Sequence, residues 1–285
     1  MNKKQKVLYF ILLIILFIGV TYLRNSQDDF EGGALEVHFI DVGQGDSILI
    51  KSNNEAMLID GGKRSSKDVV LEYIQNERIE NLKYIVATHP HEDHIGGLQN
   101  VIENIPVENI LMPKVTANTK VFENLLDIIS DKGLKITLAK SGDNYELDGS
   151  KLIIIAPNSE EYSNLNNYSV GIQLVFGQVG FVFTGDAEVP SEKEIVERFG
   201  SGLRADVLKL GHHGSNTSST EDFLNAVNPK HAIVSAGDKN SYDHPHKEVL
   251  ERLKKMGVEI YRTDLLGHIV VTSDGEDLKF IKQKN

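Results

Sequence analysis

The chain has 285 residues, 40% of them hydrophobic, and its 30 basic and 41 acidic side chains give a formal net charge of −11. This size allows one large domain or two small ones with a buried core, and the acidic balance disfavours non-specific binding to nucleic acid or anionic membrane. The absence of cysteine excludes disulfides, thiolate zinc sites, cysteine nucleophiles and lipid-acylated cysteine.

The first 24 residues predict an uncleaved membrane anchor. A lysine-rich start precedes an uncharged apolar run over residues 7–23, and an acidic stretch follows. This charge order predicts an internal N-terminus and an external remainder, and about 17 apolar residues is the short limit for a span. The alternatives are a cleaved signal segment, although no small-x-small site is visible, and a buried core helix. Residues 25–34 are predicted to be a linker, and residues 35–283 one domain that is extracellular and anchored, or secreted after cleavage.

Residues 35–138 alternate short apolar runs with one-sided apolar patterns. The apolar runs predict strands at residues 35–40, 47–51, 56–59, 84–87, 109–112 and 134–138. The one-sided patterns predict helices at residues 67–77 and 121–132. We expect Ser65 or Ser66 to cap the first helix and Gly133 to end the second.

Residues 151–281 continue with the same two patterns. Strands are predicted at residues 151–155, 170–176, 179–184, 206–210, 231–235, 258–261, 268–272 and 277–281, and helices at 191–199, 220–227 and 247–256. Antiparallel meanders with interspersed helices predict an α/β (α+β) fold. Two sheets with helices on their outer faces fit this order better than one doubly wound parallel sheet.

The segment Tyr84–Gly97, YIVATHPHEDHIGG, places potential metal ligands at the end of a predicted strand. His89, His91, Asp93 and His94 lie in one short loop, which can direct all four side chains at one point. Imidazole and carboxylate suit zinc, manganese or iron. The alternative is a polar surface loop.

Polar side chains also follow other predicted strands. Asp186 ends the run FVFTGD, and a carboxylate there could bridge two metals about 3.5–4 Å apart. His212 and His213 follow LKLG in the same way. Asp60 could accept a hydrogen bond from a ligand histidine and fix its tautomer. For both aspartates the alternative is an ordinary turn residue.

A second histidine pair, His244 and His246, lies in the segment DHPH after the predicted strand at 231–235. We expect both side chains to face the substrate. The alternative is a segment that caps the helix at 247–256.

These motifs, taken together, resemble the metallo-β-lactamase fold superfamily. HFIDVGQGDSILI, THPHEDHIGG, FTGD, LKLGHHGS, DHPH and YRTD, in this order, resemble the soluble hydrolase domain of ComEC-type competence (DNA-uptake) proteins over nearly all of residues 35–275. The resemblance implies a four-layer αββα sandwich with the metal site at one edge, between the sheets.

The resemblance also implies a ligand set for one or two divalent metal ions. His89 and His91 would hold the first metal, and Asp93 and His94 the second. Asp186 would bridge them. A histidine of the 212–213 pair would complete the second site, and we assign His212, with His213 as the alternative.

The chain departs from the family pattern at the first metal. Most dinuclear members carry another histidine before the bridging aspartate, but none occurs between His94 and His212. Asn167 or Ser169 lies where it would be expected and is predicted to approach the metal directly or through water. With fewer nitrogen donors, manganese becomes more plausible relative to zinc.

The resemblance implies a metal-dependent hydrolase, most plausibly a phosphodiesterase or nuclease that uses metal-bound hydroxide at the outer cell surface. Asp93, His213 and His244 are the expected catalytic residues, and the expected partners are an anionic phosphodiester, conceivably DNA, and the membrane through residues 7–23. ComEC-type proteins carry a multi-span channel domain, whereas this chain has at most one predicted span. The alternatives are another surface hydrolase, such as a choline-phosphate esterase or a lactonase, and a metal-stabilised binding module without turnover.

Overall fold

The structure, a computed structural model, describes residues 35–283. The predicted anchor at residues 1–24 and linker at 25–34 lie outside the described residues. Within residues 35–283, every helix lacks the length or the apolar character that crossing a membrane requires. The described residues belong to one compact unit, and the division of the chain into anchor, linker and domain stays a prediction.

Fifteen strands and eight α-helices form in residues 35–283. The strands are β1 Leu35–Phe39, β2 Ile48–Ser52, β3 Glu55–Ile59, β4 Leu82–Val86, β5 Val107–Met112, β6 Ile136–Leu138, β7 Asn144–Leu147, β8 Ser150–Ala156, β9 Gly171–Phe176, β10 Val179–Phe183, β11 Val207–Lys209, β12 His231–Val234, β13 Glu259–Arg262, β14 His268–Ser273 and β15 Leu278–Gln283. The helices are α1 Lys67–Asn76, α2 Glu92–Ile95, α3 Leu98–Asn104, α4 Lys120–Asp131, α5 Val189–Phe199, α6 Glu221–Val227, α7 Lys247–Lys255 and α8 Thr263–Leu266.

The strands form two mixed sheets. The first has the order β15-β14-β1-β2-β3-β4-β5-β6, and the second has the order β13-β12-β11-β10-β9-β8-β7. In the first, neighbours are antiparallel from β15 to β3 and parallel from β3 to β6. In the second, neighbours are parallel from β13 to β10 and antiparallel from β10 to β7. The predicted α/β architecture of two sheets is confirmed.

Three hydrophobic clusters hold the layers together. One lies between the sheets and includes Phe39, Phe181 and Phe183. The second packs α1, α3 and α4 on the outer face of the first sheet, and the third packs α5, α6 and α7 on the outer face of the second. Strands buried on both faces explain why their sequences are continuous apolar runs rather than alternating patterns.

Some local predictions were wrong. The elements β7, α2 and α3 were not predicted, because each is short and polar or follows directly on the metal-ligand motif. Ser66 occupies the N-cap position of α1, but its hydroxyl makes no cap bond and donates instead to the carbonyl of Val42. True side-chain caps occur at Thr119 of α4 and Thr220 of α6.

The topology brings polar strand ends to one edge of the sandwich. β1, β3 and β4 run in the same direction in the first sheet, as do β10, β11 and β12 in the second. Residues that follow the C-terminal ends of these strands, far apart in sequence, therefore meet at this edge, where ligand sites of open α/β sheets form. They are Asp60 after β3, His89 after β4, Asp186 after β10, His213 after β11 and His244 after β12.

Candidate metal centre

His89 and His91 converge just after β4. His89 Nε2 lies 3.0 Å from His91 Nδ1, and the same His89 nitrogen lies 3.7 Å from Asp186 Oδ2 in the opposite sheet. His89 is fully buried at its side chain. His89 Nε2 thus lies near one donor atom of each neighbour, and the donors that all lie within 4.8 Å of one another here are those of His89, His94 and Asp186. The assignment of His91 to the first metal stays a prediction.

A second group forms around Asp93, His94 and His213. His213 Nε2 lies 3.4 Å from Asp93 Oδ2 and 3.7 Å from Asp186 Oδ1. His94 Nε2 lies 3.2 Å from the same Asp186 oxygen. Asp186 therefore presents one carboxylate oxygen to each group, which is the geometry of a carboxylate bridging two cations.

Asp60 lies behind His94 and fixes the orientation of its ring. His94 Nδ1 donates to Asp60 Oδ2 over 2.7 Å, and Thr88 donates to the same carboxylate from its backbone and its hydroxyl. When His94 is neutral, this contact keeps its proton on Nδ1, so that the lone pair of Nε2 points towards Asp186. The position of Asp60 supports the tautomer-fixing role predicted for it.

The carboxylates require a positive charge at this edge. Burial alone would lower the pKa of His94, but the carboxylates of Asp186 and Asp60 raise it well above its ordinary value. Burial likewise opposes the charged form of His213, yet Asp186 and Asp46 raise its pKa to about 9. A divalent cation could supply this charge and leave both imidazoles neutral, which is the form that binds metal.

Three buried atoms of the site, His94 Nε2, His213 Nε2 and Asp186 Oδ1, make no well-aligned hydrogen bond among the described residues, although Asp186 Oδ1 lies 3.2 Å from His94 Nε2 and 3.7 Å from His213 Nε2. Unpaired buried polar atoms are costly and rare. Nitrogen and carboxylate oxygen at these spacings suit a zinc or manganese ion, so the residues present fit the divalent cations that the sequence predicts.

The two neighbouring histidines occupy different positions. His213 is buried, and its Nδ1 donates to the carbonyl of Ser235 over 3.0 Å, which directs Nε2 into the second group. His212 is partly exposed, with Nδ1 3.1 Å from the hydroxyl of Thr217 and Nε2 3.8 Å from Asp186 Oδ2. The geometry favours His213 as the ligand, whereas we assigned His212; the assignment to His212 stays a prediction.

Asn167 and Ser169 both lie near the first group, in different roles. The Ser169 hydroxyl accepts from the backbone of Asp186 (3.0 Å) and lies 3.3 Å from His89 Nδ1. Asn167 accepts from the backbone of Glu188 and so braces the segment that carries Asp186. Its neighbour Asn166, which we did not predict, lines the site and has a buried Oδ1 without a hydrogen bond among the described residues.

A cavity of about 430 Å³ opens onto both groups. It is lined by Gln44, Lys63, His91, Glu92, Asp93, Asn166, Asp186, His212, His213, Tyr242 and His244. Burial and the neighbouring imidazoles lower the pKa of His244 to about 4, so its ring is neutral at pH 7. His246 is absent from this lining: its Nδ1 accepts from the backbone of Asn216, and its predicted contact with substrate gains no support from its position.

Asp46, Lys209 and Ser235 support the second group and were not predicted. Lys209 Nζ lies 2.9 Å from Asp46, and Asp46 Oδ1 lies 3.3 Å from His213 Nδ1. Both members of the ion pair are 1% exposed. The signal in the sequence was a single lysine inside the apolar strand run VLKL, because a lysine in a buried strand needs a carboxylate partner.

Comparison with known proteins points to the same protein family as the sequence motifs. The model of the metallo-beta-lactamase superfamily matches residues 40–238. The chain is 31% identical over 252 residues to ComE operon protein 3 of Bacillus subtilis, covering 82% of this chain and 32% of that protein. It is 30% identical over 255 residues to competence protein ComA of Neisseria gonorrhoeae, covering 89% and 34%. The chain thus spans about a third of the length of these relatives.

A solved structure shares the fold. The metallo-beta-lactamase fold protein YhfI of Bacillus subtilis superposes with a TM-score of 0.56 at 12% identity, covering 85% of this chain and 100% of that chain. Such low identity supports the fold alone. Members of this superfamily are metallo-hydrolases whose fold binds one or two metal ions, and the described residues include His/Asp groups that could hold a metal. The family match, the resemblance to competence proteins and the two mixed sheets agree, and the chain belongs to the metallo-beta-lactamase superfamily.

Proposed function

We propose that this chain is a metal-dependent phosphodiester hydrolase. One observation carries the proposal: buried histidines and carboxylates from both sheets form groups of neighbouring donors, and three of these residues, Asp93, Asp186 and His213, line a cavity large enough for a small diester. The resemblance to competence proteins favours a phosphodiester over a lactone or a β-lactam as substrate.

The ligand set that we propose is supported by two groups of neighbouring donors, His89–His94–Asp186 and Asp93–His94–His213, and it takes His91 from the family resemblance. His89, His91 and Asp186 would hold one cation, and Asp93, His94, His213 and Asp186 the other. We place His213 rather than His212 at the second site because its Nε2 lies 3.4 Å from Asp93 Oδ2 and makes no well-aligned hydrogen bond within residues 35–283.

When bound, divalent cations would polarise the phosphoryl group and lower the pKa of a bound water to about 7. The chain's own residues fix the geometry around them. Asp60 holds a proton on Nδ1 of His94, and the Ser235 carbonyl does the same for His213. Neutral His244 is a candidate donor to an anionic oxygen of the substrate or to the leaving group, and Lys63 is a cation on the cavity wall.

The proposed partner is an anionic phosphodiester such as a nucleic acid. If residues 7–23 anchor the chain as the charge order predicts, the site would work on the outer side of the membrane. A link to DNA uptake rests only on the names of relatives that are about three times longer.

A substrate panel tests the proposal. The full chain, purified in detergent because of its apolar segment, is assayed with manganese or zinc on bis(p-nitrophenyl) phosphate, p-nitrophenyl phosphorylcholine, a homoserine lactone and a β-lactam. We expect diester hydrolysis that Asp186→Asn lowers at least 100-fold. Asp274→Asn, a carboxylate change in the β14–β15 turn at the opposite end of the sheet, should retain activity. Turnover of the lactone with none of the diesters would overturn the proposal, and metal binding without any turnover would indicate a binding module.

A further inference from the structure

We propose that Tyr242 and His244 form a stacking platform for a base next to the scissile phosphate, so that the preferred substrates are nucleotide diesters. This inference rests on the proposed function and narrows its substrate class. The platform lies in the same cavity as the predicted metal ligands Asp93, Asp186 and His213. A group stacked there would therefore be next to the reacting phosphorus.

The two rings already stack on each other. Their centroids are 5.6 Å apart and their planes differ by 25°. His244 is 8% exposed, whereas Tyr242 is 59% exposed. His244 covers part of the tyrosine ring, and most of the Tyr242 surface remains open to a planar ligand. Every base offers a π-face to such a ring, whatever its hydrogen-bonding groups.

The loop that carries this platform is braced. The side-chain oxygen of Asn240 accepts from the backbone of Tyr242 (3.2 Å) and of His244 (3.0 Å). Its amide nitrogen donates to the carbonyls of Gly237 and His244. Because one side chain fixes both residues, the rings are held together before a ligand arrives, which lowers the entropy lost on binding.

His244 also has an unused polar atom. Its Nδ1 is buried and makes no hydrogen bond among the described residues. The other faces of the ring are occupied, by His212 at 5.3 Å and by His246 at 4.9 Å between ring centroids. A buried nitrogen with no partner in a cavity wall is an independent sign that a polar ligand is meant to reach this side of the cavity.

The charges around the cavity make stacking necessary for affinity. Lys63 is the one lysine or arginine that lines it among the described residues, and three carboxylates, Glu92, Asp93 and Asp186, line the same cavity. The whole chain carries a formal charge of −11. Phosphate contacts by basic side chains, which supply most non-specific affinity for nucleic acid, are therefore scarce here. Beyond the phosphate contacts of the proposed cations, contact with the base is the main remaining source of affinity.

The same wall does not suit a choline group. Quaternary ammonium ions are bound by cages of several aromatic rings, but Tyr242 is the one phenylalanine or tyrosine in the cavity lining among the described residues, and the chain has no tryptophan. A single exposed ring beside a neutral imidazole fits a flat base better than a tetrahedral cation.

The test compares two diesters that differ only in the base. These are the p-nitrophenyl ester of thymidine 5′-phosphate and the corresponding ester of 1,2-dideoxyribose 5-phosphate, which share the leaving group. With the full chain and manganese, we expect kcat/KM to be about tenfold higher for the thymidine ester, the size of one base stacked on one aromatic ring. Tyr242→Ala should reduce this ratio to near one, and Tyr242→Phe should keep it.

Leu265→Ala is the matched control, because Leu265 is similarly exposed at 57% but does not line the cavity; it should keep the wild-type ratio. Equal kcat/KM values in the wild type, a ratio retained in Tyr242→Ala, or a preference for p-nitrophenyl phosphorylcholine would overturn the inference. If no diester is hydrolysed, the proposed function fails instead. In that case, calorimetric titration with thymidine 5′-monophosphate and with 2-deoxyribose 5-phosphate compares binding with and without the base. We then expect tighter binding of the thymidine compound in the wild type and in Tyr242→Phe, and equal binding of the two compounds in Tyr242→Ala.

Discussion

At His212 and His213, two consecutive non-glycine residues adopt the left-handed backbone conformation, with φ of 48° and 56°. Such a conformation costs free energy for each residue and persists only where the surroundings impose it. Here the left-handed backbone points the two successive side chains in different directions. His213 points inward to Asp93, and His212 points outward to Thr217. The backbone rather than the residue type distinguishes the two histidines.

His213→Ala should therefore impair metal binding more than His212→Ala. Removing the buried imidazole deletes one donor of the second group, whereas His212 belongs to none of the groups of three neighbouring donors among the described residues. We expect manganese or zinc affinity at the second site to fall at least 100-fold in His213→Ala and less than tenfold in His212→Ala. Isothermal titration with each metal measures both values. Equal losses, or a larger loss in His212→Ala, would return the ligand role to His212.

Lys209 and Asp46 make an ion pair that is almost fully removed from solvent. Burial would raise the pKa of Asp46, but Lys209 and His213 lower it to about 2. Lys209→Met leaves this carboxylate charged, buried and without its main partner, so the free energy of unfolding should fall by about 3–5 kcal/mol. Urea denaturation of the full chain gives the value.

The surface pair Lys230–Asp206 is a matched control for this change. Its atoms are also 2.9 Å apart, but the lysine side chain is 75% exposed. Lys230→Met should lower the free energy of unfolding by less than about 1 kcal/mol. A similar small loss in Lys209→Met would show that the buried pair does not stabilise the fold.

Among the connecting elements, the loop after β3 and the loop between α2 and α3 pack backbone to backbone. Gly61 N donates to the carbonyl of His94 (2.7 Å), and Gly97 N donates to the carbonyl of Gly62 (3.0 Å). A Cβ added to Gly97 would lie 2.1 Å from the Gly61 carbonyl oxygen. The glycine is required because Asp60 and His94, at the ends of these loops, must come within hydrogen-bond distance.

Gly97→Ala should push the two loops apart. We expect the free energy of unfolding to fall by about 1–3 kcal/mol, and metal affinity to fall as well, because His94 loses its contact with Asp60. Gly202→Ala is the control, since a Cβ there meets no atom within 4 Å. Denaturation and metal titration of both variants test this, and wild-type metal affinity in Gly97→Ala would contradict the coupling.

Strands β1 and β2 carry a charged cross-strand pair, Glu36 opposite Lys51. The hydrogen bond from His38 and the charge of Lys51 hold the pKa of Glu36 at about 2, although burial opposes the charged form. Because the folded-state pKa lies below the unfolded value, this carboxylate stabilises the protein above about pH 4.5, and the contribution is lost as the pH falls towards 2.

Glu36→Gln should thus lower the free energy of unfolding by about 1 kcal/mol at pH 7, and the difference from wild type should shrink as the pH falls from 4.5 to 3. Urea midpoints over this pH range measure it. Glu197→Gln serves as the control, because Glu197 pairs with Lys193 on an exposed helix face. A difference in Glu36→Gln that does not vary with pH would show that its loss is one of packing rather than charge.

The sequence was most informative where chemistry and periodicity coincide. The apolar runs located strands that are buried on both faces, and HPHEDH located donors from one loop. It could not separate His212 from His213, because their backbone angles are set by tertiary contacts rather than by local propensity. It also failed at α3, whose seven residues are too few for a clear helical period, and at Lys209, whose partner Asp46 is 163 positions away.

On the scale of the whole molecule, the candidate metal centre joins the two sheets at one edge, in addition to the apolar cluster between them and to polar contacts such as Lys209–Asp46 and Ser52–Ser150. His89 belongs to the first sheet and Asp186 to the second, and their nearest atoms are 3.7 Å apart. The large apolar cluster between the sheets should keep the protein folded without metal. A cation held by both sheets would still add stability, since it binds the folded chain and not the separated sheets.

Manganese or zinc at 100 times its dissociation constant should raise the free energy of unfolding by about 2.7 kcal/mol, and chelation should reverse the gain without unfolding the protein. Asp186→Asn in the second sheet removes the charge shared by both groups and should abolish most of the gain in stability. His89→Ala in the first sheet should also reduce this gain. Urea denaturation with and without metal measures all three proteins. If the full gain in stability is retained in Asp186→Asn, the stabilising cation binds elsewhere in the molecule and does not link the two sheets.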